Sequence, residues 1–380
     1  MNSKERVEKT FKKEETDKIP INHRGFSSKI ASYILGREAF VGGGVQQWRE
    51  AKSLWEGCHD EYLERSFRDA IDIALITGQD IIRASYWRAP QKPTKKIDEY
   101  TYLYEYGEEK DWKVLRYDPV SEQANFFYYH PRELTLEDIK KEVKEREKNL
   151  SSYKPKEENY SFQIKAQKMF GKEKVVENYG VTIGIPMRQA NVWLQAMLLD
   201  PGLVKSFILQ QVEMAKKNVE FLSKLGFHYF FGGLDFASEQ GPIFSPELFR
   251  DLILPGLRKV SEICHQYNGY HLFASDGNLW SVSDMLFRES GIDGYYEIDR
   301  KAGMDLEKLR RKYPDLTLIG NISSWTLSRG SKEDVKREVL SCIETAKKYK
   351  GIIVGVSNYI LPETPVENVE EMLNILSEMR

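Results

Sequence analysis

The chain has 380 residues, longer than a usual single domain yet within reach of one repetitive α/β unit carrying an insertion. Lys and Arg total 56 against 58 Asp and Glu, and a net charge of −2 gives no long-range pull on nucleic acid or an anionic membrane. No apolar run approaches the roughly 18 residues that would span a bilayer.

Three widely spaced cysteines, Cys58, Cys264 and Cys342, argue against a disulfide framework. The first stretch is charged, without the apolar centre of a signal peptide. Both observations lead to an expectation of a cytoplasmic protein. Residues 3–13 read as a short amphipathic helix with Val7 and Phe11 on one face. Asp17-Lys-Ile-Pro20 then enters a first strand that ends at His23 and Arg24. A helix fits 28–35, and Gly42, Gly43 and Gly44 read as a joint with no phosphate-loop lysine after them. Residues 48–77 form a helical zone, followed by a strand through Asp80 and Arg83.

Residues 86–150 break the alternation. Tyr100, Tyr102, Tyr104 and Tyr106 alternate with polar residues, a turn is expected at 107–111, and 112–117 alternate again. That predicts an antiparallel hairpin, followed by a charged helix over 136–150. The tyrosine face would stack on a flat macrocycle, cover the main body or pair with a second copy in a homodimer; the last two are the simpler uses. An insertion of this kind serves as a lid or as an edge decoration.

The second half is regular. Strand-like segments at 175–185, 229–235, 270–276, 292–299, 316–321 and 351–358 are separated by helical ones, closing with a helix over 366–379. Five of these strands end on a polar residue: Asp235, Asp276, Asp299, Asn321 and Asn358. Strand, polar tip and helix in repetition predict an α/β protein, a (β/α)8 TIM barrel as one domain over 1–380, with the hairpin and charged helix of 86–150 inserted. In that fold the tips converge on one mouth, joined from earlier strands by Arg24, Arg83 and Arg188. Carboxylates brought together there hold a metal or share a proton, although Asp also caps the helix that follows a strand. Asp235, Asp276, His23 and Asp80 are the catalytic candidates. Arg24, Arg83, Arg188, Glu239 and Asn321 are the substrate-binding ones. His271 falls on the opposite strand face from Asp276, which suits packing better than catalysis. His265 and Cys264 share a helix, one at the surface and one in the core.

Gly233-Leu-Asp235-Phe-Ala-Ser-Glu-Gln-Gly-Pro-Ile-Phe-Ser-Pro-Glu-Leu-Phe249, Pro255, Ala274-Ser-Asp-Gly-Asn278, Ala302-Gly-Met-Asp305, Gly320-Asn321 and Thr364-Pro-Val-Glu-Asn368 follow one another in an order that resembles the uroporphyrinogen decarboxylase-like superfamily. Arg6, Asp17-Lys-Ile-Pro20 and His130-Pro131 extend the match over nearly the full chain. The resemblance implies the barrel, with its cleft at the strand C-termini. It also implies a choice of reactions, since the superfamily includes cobalamin-dependent methyltransferases. Those enzymes hold zinc through a His-x-Cys pair and a second Cys, where this chain has Ala274, Asp276 and Asn358. A thiolate zinc site is therefore not expected. A divalent metal on Asp276 and Asn358 would be held by oxygen, and a corrinoid would come from a partner protein. The decarboxylase's paired-arginine segment is replaced by Asn22-His-Arg-Gly-Phe26, with one arginine. Decarboxylation would need no cofactor, with Asp80 or Asp235 steadying a protonated ring and Arg24 gripping a carboxylate. The expected function is methyl transfer between a small donor and the corrinoid; the alternatives are decarboxylation of a pyrrolic acid and non-catalytic binding of a corrinoid or its carrier.

Overall fold

The computed structural model describes residues 1–85, 88–106, 111–128 and 134–380, the side chain of Arg188 excepted. Residues 107–110 of the turn expected over 107–111, and His130 and Pro131, lie outside the described residues.

The fold is α/β. In chain order the strands are β1 (Gly25–Phe26), β2 (Ile81–Ile82), β3 (Lys95–Lys96), β4 (Thr101–Tyr106), β5 (Asp111–Asp118), β6 (Gln123–Tyr128) and β7 (Val175–Val176). Then come β8 (Tyr229–Gly233), β9 (Ala237–Ser238), β10 (Gly241–Pro242), β11 (Tyr270–Ala274), β12 (Gly294–Tyr296), β13 (Thr317–Ile319), β14 (Ile352–Ile353) and β15 (Tyr359–Ile360). A five-stranded parallel sheet runs β14-β13-β12-β11-β8. Parallel bonds continue beyond β14: Asn22 N–H donates to Val354 O, Arg24 N–H to Val356 O, and Asp80 N–H to Ile21 O. The pairing of β2 with β7 carries the series on, and Asn178 Nδ2 donates to Tyr229 O of β8 at 2.6 Å.

Alternation along these strands sorts side chains onto two buried faces, as it must where helices cover a parallel sheet. Ile81, Val175, Tyr229, Phe231, Leu272, Ile319 and Ile353 gather with Val7 and Phe11 of the helix Ser3–Phe11 in one cluster. Their neighbours Ile82, Val176, Phe230, Phe273, Leu318 and Ile352 join the larger core with the surrounding helices. His271 follows the second set. Its Nδ1 meets Ser261 Oγ of the helix Leu254–Gln266 at 2.8 Å, the helix-facing position expected of it. Cys264 is buried and His265 exposed, also as expected.

The helices Ser28–Leu35, Leu136–Leu150 and Val366–Met379 coincide with the sequence reading. The expected long helix over 48–77 is two helices, Gly43–Glu56 and His59–Ile76, because Gly57 takes φ +80 between them. The expected strand at 175–185 stops after Val176; Gly180 turns away at φ +124, leaving Glu177 and Tyr179 on a loop. No single helix among the described residues is long and apolar enough to cross a membrane.

Where a hairpin was expected, β3-β4-β5-β6 form a four-stranded antiparallel sheet. Its inner face packs Tyr102, Tyr104, Leu115 and Tyr117 on Val45, Trp48 and Ala51 of the helix Gly43–Glu56. Trp48 stacks on Tyr117 with centroids 4.7 Å apart, and its Nε1 donates to Glu99 O. The tyrosine face thus covers the body of the protein. Glu122 ties the sheet back by accepting from the N–H groups of Ser28 and Lys29 at the start of the helix Ser28–Leu35. The charged helix begins with a reciprocal cap between Thr135 and Asp138 and buries only Ile139 and Val143, so its other faces are solvated.

Candidate active site

A cavity of about 440 Å³ opens where the parallel strands end. Asp235 lies two residues beyond β8 and Asp276 two beyond β11, so alternation keeps both on the inward face shared by Phe231 and Ala274. Asp276 N–H donates to Asp235 Oδ1 at 2.9 Å, and Asn358 Nδ2 donates to Asp276 Oδ2 at 2.7 Å. Of the five polar tips that the sequence placed at one mouth, these three meet there.

Glu297 completes the group. Asp235, Asp276 and Glu297 each bring a carboxylate oxygen within 4.8 Å of the others. Glu297 follows β12 with φ +62, a left-handed backbone that non-glycine residues rarely adopt. Strict alternation from Tyr295 would send its side chain outward; this turn returns it to the mouth. Strain held at a pocket wall is a mark of function rather than of folding economy.

Burial pushes the Asp276 carboxyl up to about 8, and the charges of Glu297, Asp235 and Asp299 add to it, while the Asn358 hydrogen bond works the other way. At neutral pH Asp276 therefore carries a proton it can donate.

Arg24 and Arg83 line the same cavity, but both are engaged. Arg24 Nη1 donates to Glu177 at 2.6 Å, its Nε to Glu297 at 3.0 Å, and its guanidinium lies 4.4 Å from the Tyr296 ring centre. Arg83 donates to Arg24 O and to Tyr179 Oη, with Glu177 Oε1 at 3.6 Å from its Nε. These contacts set the arginine planes and fix Glu297. Glu177 was missed in the sequence because the strand was read to 185; ended at Val176, it has the same strand-then-acid form as the others.

Other expected site residues stand elsewhere. Asp80 precedes β2, at the opposite strand end, where it accepts from Arg6 and Arg380 side chains and the Ile21 N–H; it is an ion-pair anchor rather than a catalytic acid. His23 is buried outside the cavity lining, with Nδ1 accepting from Val356 N–H, and burial holds its pKa down to about 3, too weak for a general base. Asn321 is buried and spends its amide on Ile298 O and Met304 O. Glu239 is exposed and paired with Lys301 at 2.8 Å. Asp299 accepts from the Gly277 and Ala302 N–H groups within the loops, while the helix that follows, Leu306–Lys312, is capped by Asp305. The side chain of Arg188 lies outside the described residues.

Residues 180–379, more than half the chain, match the model of the uroporphyrinogen decarboxylase (URO-D) family. The chain belongs to the uroporphyrinogen decarboxylase family. Over its whole length it is similar in fold to a methyltransferase from Methanosarcina mazei, with a TM-score of 0.67, 17% identity, and coverage of 100% of this chain and 99% of that one. A sugar phosphate isomerase/epimerase from Parabacteroides distasonis (TM-score 0.31, 12% identity, 45% and 64% covered) is too distant to carry any argument. No curated protein matches the sequence.

The zinc chemistry implied by the methyltransferases of this superfamily does not fit the donors present. Ala274, Asp276 and Asn358 stand where thiolate and imidazole would be needed, and none of the three cysteines lines the cavity. Asp235, Asp276 and Glu297 offer only oxygen, which suits a hard divalent ion rather than a thiolate zinc centre.

Proposed function

We propose that the protein is a cytoplasmic methyltransferase of the uroporphyrinogen decarboxylase-like superfamily. It moves a methyl group from a small methylated donor to a corrinoid carried by a partner protein. The hydrogen-bond series from β8 through β14, β1 and β2 to β7, rejoined to β8 by Asn178, supports a closed (β/α)8 barrel forming one domain, with the antiparallel sheet and charged helix as its insertion. The cavity then occupies the carboxyl-terminal face, the usual place for chemistry in such barrels.

One observation carries the reading: Asp276, protonated and hydrogen-bonded to Asn358, sits against Asp235 and Glu297 inside the cavity. Breaking a methyl–heteroatom bond requires a proton on the departing atom, and Asp276 is an acid placed to supply it where the donor does not already carry one. Asp235 fixes the Asp276 backbone, and Asn358 orients its carboxyl. The corrinoid, when its carrier docks, supplies the nucleophile that accepts the methyl group.

Decarboxylation of a pyrrolic polyacid finds less support, because the guanidinium groups of Arg24 and Arg83 already answer acids and carbonyls of the protein. A substrate rich in carboxylates needs several such partners.

The test is a visible-spectrum assay of the purified protein with methylcobalamin and candidate amines or alcohols as methyl acceptors in the reverse direction. Wild type is expected to deplete the methyl–cobalt band. Asp276→Ala is expected to abolish this while changing folding stability near pH 6 by no more than about 1 kcal/mol, as for a cavity-wall residue. No corrinoid turnover, together with loss of carbon dioxide from a porphyrinogen, would reverse the assignment.

A further inference from the structure

Building on the methyl-transfer reading, we propose that the mouth binds its donor as a small ammonium cation. This would be an N-methylated amine carrying one proton, held between the carboxyl groups of Asp235, Asp276 and Glu297 and the rings of Phe231, Tyr179 and Tyr296.

Charge, wall chemistry and size converge on this. With Asp276 protonated, three carboxylates, Asp235, Glu177 and Glu297, stand against two guanidinium groups, Arg24 and Arg83, in and directly behind the cavity. Both arginines are spent on Glu177, Glu297 and backbone or phenol oxygens, whereas Asp235 has no ion-pair partner among the described residues. The surplus in the cavity is negative, so an anionic ligand would meet repulsion and a cation would complete the balance.

Carboxylates alone would serve a bare metal ion equally well. The aromatic walls decide the class. Phe231, Tyr179 and Tyr296 line the same space, and the Arg24 guanidinium at 4.4 Å from the Tyr296 ring centre places a cation on one of these rings already. Methylated ammonium ions pair with aromatic faces through their methyl groups and with carboxylates through their charge. Phe231 and Ala274 supply the apolar surface those methyl groups need. About 440 Å³ lies near the lower end of ligand sites and suits a donor of a few heavy atoms.

The chemistry balances. The C–N bond breaks and its electron pair stays on nitrogen, which keeps the proton it carried. The methyl group passes to the reduced cobalt of the partner's corrinoid, and a neutral secondary amine departs. The protonated nitrogen meets the requirement for a good leaving group, and the carboxylates hold that charge next to the reacting carbon.

The test is calorimetric titration of the full chain with N,N-dimethylethanolammonium, its neutral isostere 3-methyl-1-butanol, the anion 3-methylbutanoate, and, separately, magnesium and zinc chlorides. The ammonium is expected to bind at least about tenfold more tightly than the alcohol, with the anion weakest, and Glu297→Gln and Asp235→Asn each to cost about tenfold. Either variant suffices if the other fails to fold by circular dichroism. Equal binding of the alcohol, preference for the anion, or binding of a divalent ion with none of the ammonium would overturn the proposal. Methyl loss from methylcobalamin without ammonium binding sinks the cation assignment alone. Ammonium binding with no corrinoid reaction sinks the methyl-transfer reading instead.

Discussion

Asp276 shows how one residue couples site chemistry to stability. Its carboxyl belongs near 3.8 in an unfolded chain and near 8 in the fold. Between those values the native state holds a proton that the unfolded state has lost, so the contribution to stability is complete below about pH 4 and is lost as pH rises through 8. Asp276→Asn removes that dependence. Its melting temperature is expected to match wild type near pH 4 and to exceed it at pH 9, by an amount equivalent to roughly 1–3 kcal/mol after allowance for partial exposure and shared acids. Calorimetric scans at the two pH values check this; equal differences at both would mean Asp276 ionises normally. Arg24 is the opposite case, a buried cation that two acids require. Arg24→Ala leaves Glu177 buried beside an unfilled site and is expected to cost about 3–5 kcal/mol by urea denaturation. The positions of Asp235, Asp276 and Asn358 could be read from strand parity and polar tips. Glu297 could not be singled out, because a left-handed backbone overrides parity there; Asp80 misled because a residue type near a strand says nothing of which end it occupies, and His23 because, beside the cavity-lining Arg24, alternation turns it to the other face.

Elements followed the sequence where local physics decides them. The helix Leu136–Leu150 is bounded by its own cap and period, and the helix Ser28–Leu35 ends at Gly36 in the left-handed region. Strand lengths were overestimated, since apolar β-branched runs continue past the last ladder bond. Gly44 has a role only packing reveals. A side chain at Gly44 would run into the backbone of Glu122 and Ala124, so glycine lets the helix Gly43–Glu56 approach β6. Gly44→Ala is expected to cost about 1–3 kcal/mol through this overlap. It should also weaken the near-ultraviolet circular dichroism of the stacked Trp48 and Tyr117. An unchanged aromatic signal would show that the sheet seats independently of that glycine.

At the scale of the whole molecule, the two ends of the parallel strands do different work. The carboxyl ends carry the cavity. The amino ends carry a bonded group in which Arg6 joins Asp17 and Asp80, and Arg380 also reaches Asp80 at 3.1 Å. Helix Ser3–Phe11 covers that end, with Val7 and Phe11 packed on the inward strand residues. Arg6→Ala leaves the buried Asp80 with Arg380 and the Ile21 N–H alone and is expected to lower stability by about 2–3 kcal/mol without altering ligand affinity at the cavity. Equilibrium unfolding and calorimetric binding on the same sample separate the two effects; a matching loss of affinity would join the two ends functionally.

The sequence by itself determined the α/β class, the order of strands and helices, the inward parity of Asp235 and Asp276, and the helix-facing place of His271. These depend on side-chain period and on residues near one another in the chain. Only the tertiary structure decided that Glu177 and Glu297 neutralise Arg24, that Asp80 anchors the far end, and that Asp276 keeps its proton. Each of those depends on charges delivered from separate strands to buried or half-buried positions, where interactions between residues distant in sequence outweigh what any one segment prefers.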